Sequence, residues 1–377
     1  MKRSLAILFT LSIFAACAPV SPDGTATGPI KIGFIGPLTG DAASYGSDTI
    51  NGMRIAVAEI NASGGINGAQ IELIAEDGRC NGADSASAAQ KLTSVDKVVA
   101  IIGGQCSGET LAAAPILEAA KVPAISPVSS SPDVTNAGTF IFRNYPSDAL
   151  KTKAMENVFD EKGYVKVAIL SENTDYATAL RDALVANVGS DNVVYNETSE
   201  PGTKDFRTVL TRLKDVEFDV FVPNGQTDAF IGAAMQQYRE LGFEEPAFSQ
   251  DVADSKTLGE IAGEAVEGME LINTSSELGE GGTDSFANRF RATYGEPQSN
   301  LSFATLSYDA TKLLAKVIGE VGRDGTAIRD ALLAMPSYEG AAGSFHFDEN
   351  GDVIGIGYAL KRFENGVPME VSKVEAE

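Results

Sequence analysis

The stretch IKIGFIGPLTGDAASYGSDTINGMRIAVAEINASGGINGAQIELIAEDGRC, residues 30–80, reads as two strands flanking one long helix. Residues 30–35 are apolar and rich in β-branched side chains, which predicts a strand buried in a parallel sheet. Apolar residues at helical spacing follow in residues 50–60, and a glycine-rich break precedes a second predicted strand at 71–75. Parallel sheets bind ligands at the loops that follow their strands, so residues 39–46 are a candidate site.

The rest of the chain continues this alternation of short apolar runs and helical segments, which predicts an α/β protein. Further strands are predicted at 98–102, 124–126, 140–143, 165–170, 193–196, 220–222, 247–249 and 269–272. Helices are predicted at 83–94, 107–120, 147–162, 177–188, 206–213, 229–241, 298–319 and 326–334. The 377 residues exceed one usual domain, and a boundary near residue 147 would divide the strands into two doubly wound sheets.

The amino-acid sequence of residues 30–80 resembles that of the leucine/isoleucine/valine-binding proteins, the extracytoplasmic receptors of branched-chain amino acid ABC importers. The resemblance implies the type I periplasmic binding protein fold, with two Rossmann-like lobes joined by a three-stranded hinge. It places residues 30–147 and 274–354 in the first lobe, and residues 148–273 and 355–377 in the second. It also implies a monomer that is no enzyme, needs no cofactor, closes over an amino acid and docks on an ABC permease. A periplasmic sensor or regulator of the same fold, with a degenerate cleft, is the alternative.

The first seventeen residues have the features of an export signal. Lys2 and Arg3 precede an apolar run that is too short to span a bilayer, and small residues lead to Cys17. This ending resembles a bacterial lipobox, so we expect Cys17 to be lipidated and residues 18–29 to form a flexible tether. Cleavage near Ala18 as an ordinary secretory signal is the alternative. Either way, we expect the protein on the periplasmic or cell-surface side of the membrane.

Two cysteines remain, Cys80 and Cys106, and each follows a predicted strand. In an oxidising compartment we expect them to form a disulfide, with free buried thiols as the alternative. A zinc site is not expected, because His346 is the single histidine and no CxxC is present. Residues 348–352 resemble a calcium loop, but Ala359 stands where the loop needs Glu, which favours a hairpin turn.

The formal net charge of −23 makes nucleic acid and anionic lipid headgroups poor partners, although it also suits an ordinary soluble surface. No GxGxxG or GxxxxGK[ST] pattern follows a strand, so nucleotide sites are not indicated. A Ser-His-Asp triad would have to use His346, which lies in a predicted strand next to a hairpin. The sequence therefore favours binding over catalysis.

Two neighbouring loops carry groups suited to a carboxylate. Ser107 follows a buried strand and a Gly-rich break at a predicted helix start, where free N–H groups attract an anion. Residues 123–133 repeat the arrangement with a strand and a hydroxyl-rich loop. A plain helix cap is the alternative for Ser107 alone, but two such loops at one sheet edge favour an anion cradle.

The resemblance to the receptor family assigns roles within and beyond these loops. Ser107, the backbone of Val128 and the hydroxyl of Ser130 match positions that bind the carboxylate and ammonium of the ligand, and Asp251 matches an acid against the ammonium. The predicted ligand-binding set is Tyr45, Gln105, Cys106, Ser107, Val128, Ser130, Tyr176, Gln226, Asp251 and Phe303. Without the resemblance, Asp251 would be read as a surface acid and Phe303 as helix core.

Gln105 and Gln226 depart from the family pattern, because they replace apolar or aromatic wall residues. Buried amides need hydrogen-bond partners, so a ligand with a polar or larger side chain becomes plausible.

Overall fold

The computed structural model describes residues 28–275, 278–280 and 285–375, so the predicted signal peptide, Cys17 and most of the tether lie outside the described residues. The strands are β1 (Ile30–Gly36), β2 (Ile71–Asp77), β3 (Ala100–Ile102), β4 (Ala124–Ser126), β5 (Ile141–Arg143), β6 (Val167–Glu172), β7 (Val193–Ser199), β8 (Val220–Asn224), β9 (Phe248–Ser249), β10 (Glu270–Thr274), β11 (Tyr338–Gly340), β12 (Gly343–Phe347), β13 (Val353–Ile354), β14 (Tyr358–Glu364) and β15 (Val367–Val374).

The α-helices are α1 (Ala43–Ala62), α2 (Gly82–Lys91), α3 (Ser107–Ala120), α4 (Asp148–Lys162), α5 (Asp175–Val188), α6 (Arg207–Leu213), α7 (Asp228–Glu240), α8 (Lys256–Ala262), α9 (Phe286–Tyr294), α10 (Leu301–Val321) and α11 (Gly325–Ala334). Helix α3 has the predicted bounds, whereas the short helices α8 and α9 were not predicted. Within the described part of the chain, none of the helices has the length and apolar character that a membrane span requires.

Two main sheets form the scaffold. The first is parallel, in the order β2-β1-β3-β4-β5. The second combines the parallel group β7-β6-β8 with β15-β14-β10-β9, and a bridge between Phe221 and Ala247 joins the two groups. Strands β14 and β15 enter this sheet antiparallel. The α/β architecture with two wound sheets is thus as the sequence predicts.

Alternating side chains explain why helices cover both faces of the first sheet. Ile32 and Phe34 belong to the core that includes α10, whereas Ile35 joins the core formed with α2 and α3. Strand β6 behaves in the same way, because Leu170 and Ile169 enter different cores. Successive side chains of a strand point to opposite faces, so each strand supplies both layers.

We propose that the first lobe comprises β1–β5, α1–α3, α9–α11 and β11–β13 and that the other elements form the second lobe, because the side chains of the two groups enter separate cores. Helix α10 is held close to α1 through a glycine. A Cβ atom on Gly52 would lie 2.1 Å from the carbonyl oxygen of Ala304. This close packing brings the start of α10, and with it Phe303, to the edge of the first sheet.

The segment after β12 is a hairpin turn, as the sequence favours. Asp348 accepts hydrogen bonds from the backbone N–H groups of Asn350 and Asp352, at 2.8 and 2.9 Å. The carboxylate of Asp352 pairs with the buried Arg143 at 2.6 Å, which ties the turn to the end of β5.

Candidate binding site between the lobes

The first lobe offers a helix N-terminus and a hydroxyl at the carboxyl end of β3. Cys106, rather than Ser107, is the N-cap of α3, and Ser107 is the first helical residue. The alternative of a plain helix cap at Ser107 is therefore wrong. The Oγ of Ser107 accepts a hydrogen bond from the backbone N–H of Ser131 at 3.2 Å. Its hydroxyl hydrogen thus remains available to donate, beside a helix end that favours negative charge.

Serine hydroxyl groups join the loop after β4 to the loop after β3. Ser126 and Ser129 both donate to the carbonyl oxygen of Gly104, at 2.6 and 2.9 Å. These bonds hold the loop after β4, which carries Val128 and Ser130, against the loop after β3. The two predicted halves of the cradle therefore lie side by side.

A disulfide between Cys80 and Cys106 joins the loop after β2 to the start of α3, with Cα atoms 5.3 Å apart. The buried carboxylate of Glu109 supports the same corner, because it accepts hydrogen bonds from the N–H groups of Cys80, Gln105 and Cys106 at 2.9 to 3.0 Å. Burial raises the pKa of Glu109 to about 7, although those three N–H groups oppose the shift. The first side of the cleft is thus braced covalently and by backbone bonds.

The second lobe presents Asp251, whose carboxylate already has three donors. Lys151 Nζ and Tyr176 Oη lie 2.5 and 2.7 Å from Oδ1. Tyr145 Oη lies 2.9 Å from Oδ2 and 2.6 Å from Oδ1 of Asn273, so its one hydrogen is shared between two acceptors. Burial raises the pKa of both tyrosines well above the ordinary value, so both phenols stay protonated and can donate.

Lys151 is completely buried and also lies 2.6 Å from Oδ1 of Asp148, which is equally buried. Burial opposes its charge, but Asp148 and Asp251 together hold the pKa of Lys151 above the ordinary value. Asp148 in turn accepts a hydrogen bond from the Oγ of Ser130 at 3.1 Å. A chain of contacts therefore runs from the cradle of the first lobe to Asp251.

Sequence reasoning missed Lys151, although a signal was present. Lys151 lies on the face of α4 that carries Ala154, Met155, Val158 and Phe159, all of them buried. A lysine within such an apolar stripe needs a buried partner, since an unpaired ammonium is costly there. The partner Asp251 is 100 residues away in sequence, so only the fold could identify it.

Direct contacts join the two lobes across the cleft. Tyr45 Oη donates to Oδ2 of Asp228 at 3.0 Å and accepts from the N–H of Asp228 at 3.3 Å. Gln226 Nε2 lies 2.7 Å from Sγ of Cys80. Within the first lobe, the ring of Phe303 supports that of Tyr45 edge to face, with centroids 6.0 Å apart. The molecule is therefore in a closed form.

These elements enclose a cavity of about 40 Å³ between the lobes. Its lining comprises Tyr45, Gln105, Cys106, Ser107, Val128, Ser130, Tyr176, Gln226, Asp251, Val252 and Phe303. The structure thus brings all ten predicted residues together and adds Val252, which the sequence did not indicate. A single water needs about 15 Å³ of such space, so a larger solute can enter only when the lobes part.

The amide of Gln105 stands out within this lining. Its side chain is 2% exposed, and neither Nε2 nor Oε1 has a hydrogen-bond partner among the described residues. Unsatisfied buried amides are rare and point to a partner such as a ligand.

Comparisons with known proteins agree with this architecture. Residues 29–361 match the sequence profile of a family described as periplasmic binding protein. The chain belongs to this family. A leucine-, isoleucine-, valine-, threonine-, and alanine-binding protein of Pseudomonas aeruginosa is 28% identical over 359 residues, which cover 94% of this chain and 95% of the relative.

Solved structures of the family are equally similar over almost the whole chain. A leucine binding protein from Thermotoga maritima has a TM-score of 0.82 at 27% identity, covering 92% of this chain and 99% of that one. A branched-chain amino acid transporter substrate-binding protein from Streptococcus pneumoniae, in complex with isoleucine, has the same TM-score and coverage at 28% identity. The resemblance inferred from the sequence is therefore confirmed, and with it the type I periplasmic binding protein fold.

Proposed function

We propose that this protein delivers a small solute to an ABC permease and captures that solute by its carboxylate in the cleft between the lobes. The cavity that closes over Ser107 and the unpaired amide of Gln105 carries this proposal. Ser107 contributes a free hydroxyl hydrogen and the N-terminus of α3, which together suit a carboxylate. The ligand gains its contacts to the second lobe only on closure, so binding shifts the protein towards the closed form.

The relatives point to amino acids and their close analogues as the ligand class. Val128 and Ser130 would complete the site for the polar head of the ligand, and Asp251 would face it from the second lobe. Gln105 supports a ligand with a polar side chain, because an apolar one leaves its amide without a partner. Gln226 also lines the cavity and adds polar surface there, although its Nε2 already has Cys80 Sγ as a partner.

A thermal-shift screen of amino acids and small carboxylates, followed by calorimetry, tests this function. A ligand that binds only the native state raises the melting temperature. Ser107→Ala removes a hydrogen bond to a charged group and should cost about 1.5 to 3 kcal/mol, or roughly ten- to more than hundredfold in affinity. Ser87→Ala, at an exposed serine of α2, should leave affinity unchanged.

Two results would contradict the proposal. If no small carboxylate stabilises the folded protein, the cleft is degenerate and a sensor or regulator of the same fold becomes the better hypothesis. If Ser107→Ala binds the ligand as tightly as the wild type, the carboxylate lies elsewhere.

We also propose that the protein acts as a monomer held at the periplasmic or cell-surface face of the membrane by a lipid on Cys17. The support is the lipobox-like ending before Cys17 and the Pro-, Ser- and Gly-rich segment that follows it. Mass spectrometry of the mature N-terminus tests the anchor, and an unmodified Cys17 in the mature protein would contradict it.

A further inference from the structure

The acid that faces the cavity already has a positive partner inside the protein. Asp251 is 3% exposed and lines the cavity, while Lys151, at 0% exposure, lies 2.5 Å from its Oδ1. Lys151 Nζ also lies above the rings of Tyr145 and Tyr176, 5.6 and 5.7 Å from their centroids. Two carboxylates and two aromatic faces around one ammonium form a complete cation site, and a side chain of the protein fills it.

We propose that the Lys151 ammonium occupies the cation site that the α-ammonium of an amino acid would otherwise fill. The cleft then selects carboxylates that carry either no polar group or an uncharged one at the α-carbon. The class comprises simple carboxylic acids and 2-hydroxy acids. This inference rests on the proposed capture of a carboxylate at Ser107 and narrows the ligand class suggested by the relatives.

The geometry at Asp251 explains the discrimination. Oδ1 is occupied by Lys151 and Tyr176. Among the described residues, the one donor near Oδ2 is the Tyr145 hydroxyl, which lies closer still to Oδ1 of Asn273, at 2.6 Å. A ligand hydroxyl could donate to the free lone pair of Oδ2 without bringing a charge. A ligand ammonium at the same oxygen would place a second cation close to Lys151, where little water is present to screen the repulsion.

Asp148, Lys151 and Asp251 form one charged cluster, and its other carboxylate, that of Asp148, lies away from the cavity. Asp148 does not line it, is fully buried and has its two oxygens turned towards Lys151 and Ser130. Burial also raises the pKa of Asp148, although the neighbouring ammonium of Lys151 opposes the shift. The ligand therefore meets Asp251 as one half of an ion pair and not as a free anion.

The test compares ligands that differ only at the α-carbon. Alanine, leucine, glutamine and phenylalanine are each titrated by calorimetry beside the deaminated acid and the 2-hydroxy acid of the same skeleton. The wild type should bind one of the acids without an ammonium at least tenfold more tightly than its matching amino acid. The skeletons cover small, branched, amide-bearing and aromatic side chains, so the comparison does not depend on knowing the native ligand.

The double variant Asp148→Asn/Lys151→Gln provides the decisive change. It keeps the net charge of the cluster at −1, because one positive and one negative side chain are both neutralised, but it frees Asp251 from its cation. The preference should then reverse, with the amino acid gaining at least tenfold over its deaminated form. Lys153→Gln, at a lysine 39% exposed on the same helix, is the matched control and should leave both affinities unchanged.

Each outcome decides between the two proposals. If the wild type prefers an amino acid over both of its analogues, the role of Lys151 is overturned and the proposed carboxylate receptor stands. If the folded double variant binds all ligands more weakly by the same factor, Lys151 is purely structural and the inference is again overturned. If no carboxylate of any class binds the folded wild type, the proposed function fails together with the inference.

Discussion

The two sides of the cleft hold their polar groups by different means. On the first lobe, loops are joined by the Cys80–Cys106 disulfide and by hydroxyls that donate to the carbonyl oxygen of Gly104. On the second lobe, the buried ion pair of Lys151 and Asp251 lies between two tyrosines. One side presents fixed dipoles to the cleft, and the other presents charges that are already paired.

This difference assigns a separate task to each side. Dipoles of a helix end and hydroxyls attract a carboxylate without needing a counter-ion, so the first lobe can bind it while the cleft is open. A buried ion pair attracts a distant ligand only weakly. However, a ligand that places a further charge next to the pair is destabilised, because that charge has no counter-charge. The second lobe is therefore suited to rejecting unsuitable ligands as the cleft closes.

The largest expected effect comes from removing the cation of the second side. Lys151→Met leaves Asp148 and Asp251 buried without their shared partner, and breaking a buried pair costs about 3 to 5 kcal/mol. Urea unfolding should show a loss of that size in the free energy of unfolding. Lys153→Met should change it by less than about 0.5 kcal/mol, because Lys153 is partly exposed. A Lys151→Met protein as stable as the wild type would show that the pair is not needed for stability.

The matching change on the first side is loss of the disulfide. Cys80 and Cys106 are 26 residues apart, and closing a loop of that length stabilises the native state by about 3 to 4 kcal/mol. Adding a reductant should lower the free energy of unfolding by that amount. The double variant Cys80→Ala/Cys106→Ala should already be less stable and should not respond to reductant. Two alkylatable thiols in the unreduced native protein would contradict the bond.

The sequence predicted the first side of the cleft better than the second. Local signals mark the loops after β3 and β4, because a Gly-rich break, Ser107 and a run of serines follow short apolar strands. These signals led to the correct bounds of α3 and to the neighbouring cradle loops. The family resemblance, rather than the local pattern, pointed to Asp251, Tyr176 and Phe303 as members of the lining.

The second side depends on contacts that local sequence does not encode. Lys151 meets Asp251 across 100 residues, and Tyr45 meets Asp228 across 183. Such contacts form through the tertiary packing of the chain, and helical or strand periodicity does not predict them. The short helices α8 and α9, of 7 and 9 residues, were also missed. Helices of this length give a weak periodic signal, which was sufficient for α6 but not for α8 and α9.

A smaller effect should follow from the unpaired amide of the first side. Gln105→Leu removes two buried polar atoms that have no partner in the described part of the chain, which should raise the free energy of unfolding of the ligand-free protein by about 1 to 3 kcal/mol. The same change should move ligand preference towards apolar side chains. Denaturant unfolding and calorimetry measure the two effects, with the exposed Gln70→Leu as control. A less stable Gln105→Leu protein would mean that the amide is satisfied in solution.

The smallest effect concerns pH and the contact that links the two sides. Burial raises the pKa of Asp228 to about 6 in the closed form, where Tyr45 donates to it. When the lobes part, Asp228 meets water and its pKa should fall towards the ordinary value of about 3.9. The closed form therefore binds more protons between these two values, so lowering the pH through 6 favours closure.

Ligand affinity should accordingly rise roughly tenfold between pH 7 and pH 5, as the two pKa values of Asp228 require. Among the other ionisable groups near the cleft, Asp148, Lys151 and Asp251 lie together in the second lobe and keep their mutual contacts on opening. Glu109 keeps its three N–H partners within the first lobe, so its pKa should not change on opening. Asp228→Asn retains an oxygen for the Tyr45 hydroxyl and should flatten the profile, whereas Asp182→Asn, at an exposed acid of α5, should not. Calorimetry across this range measures the slope. An affinity that falls on acidification in the wild type would contradict this prediction. It would mean that the closed form holds Asp228 ionised, so that protonation of its carboxylate weakens closure.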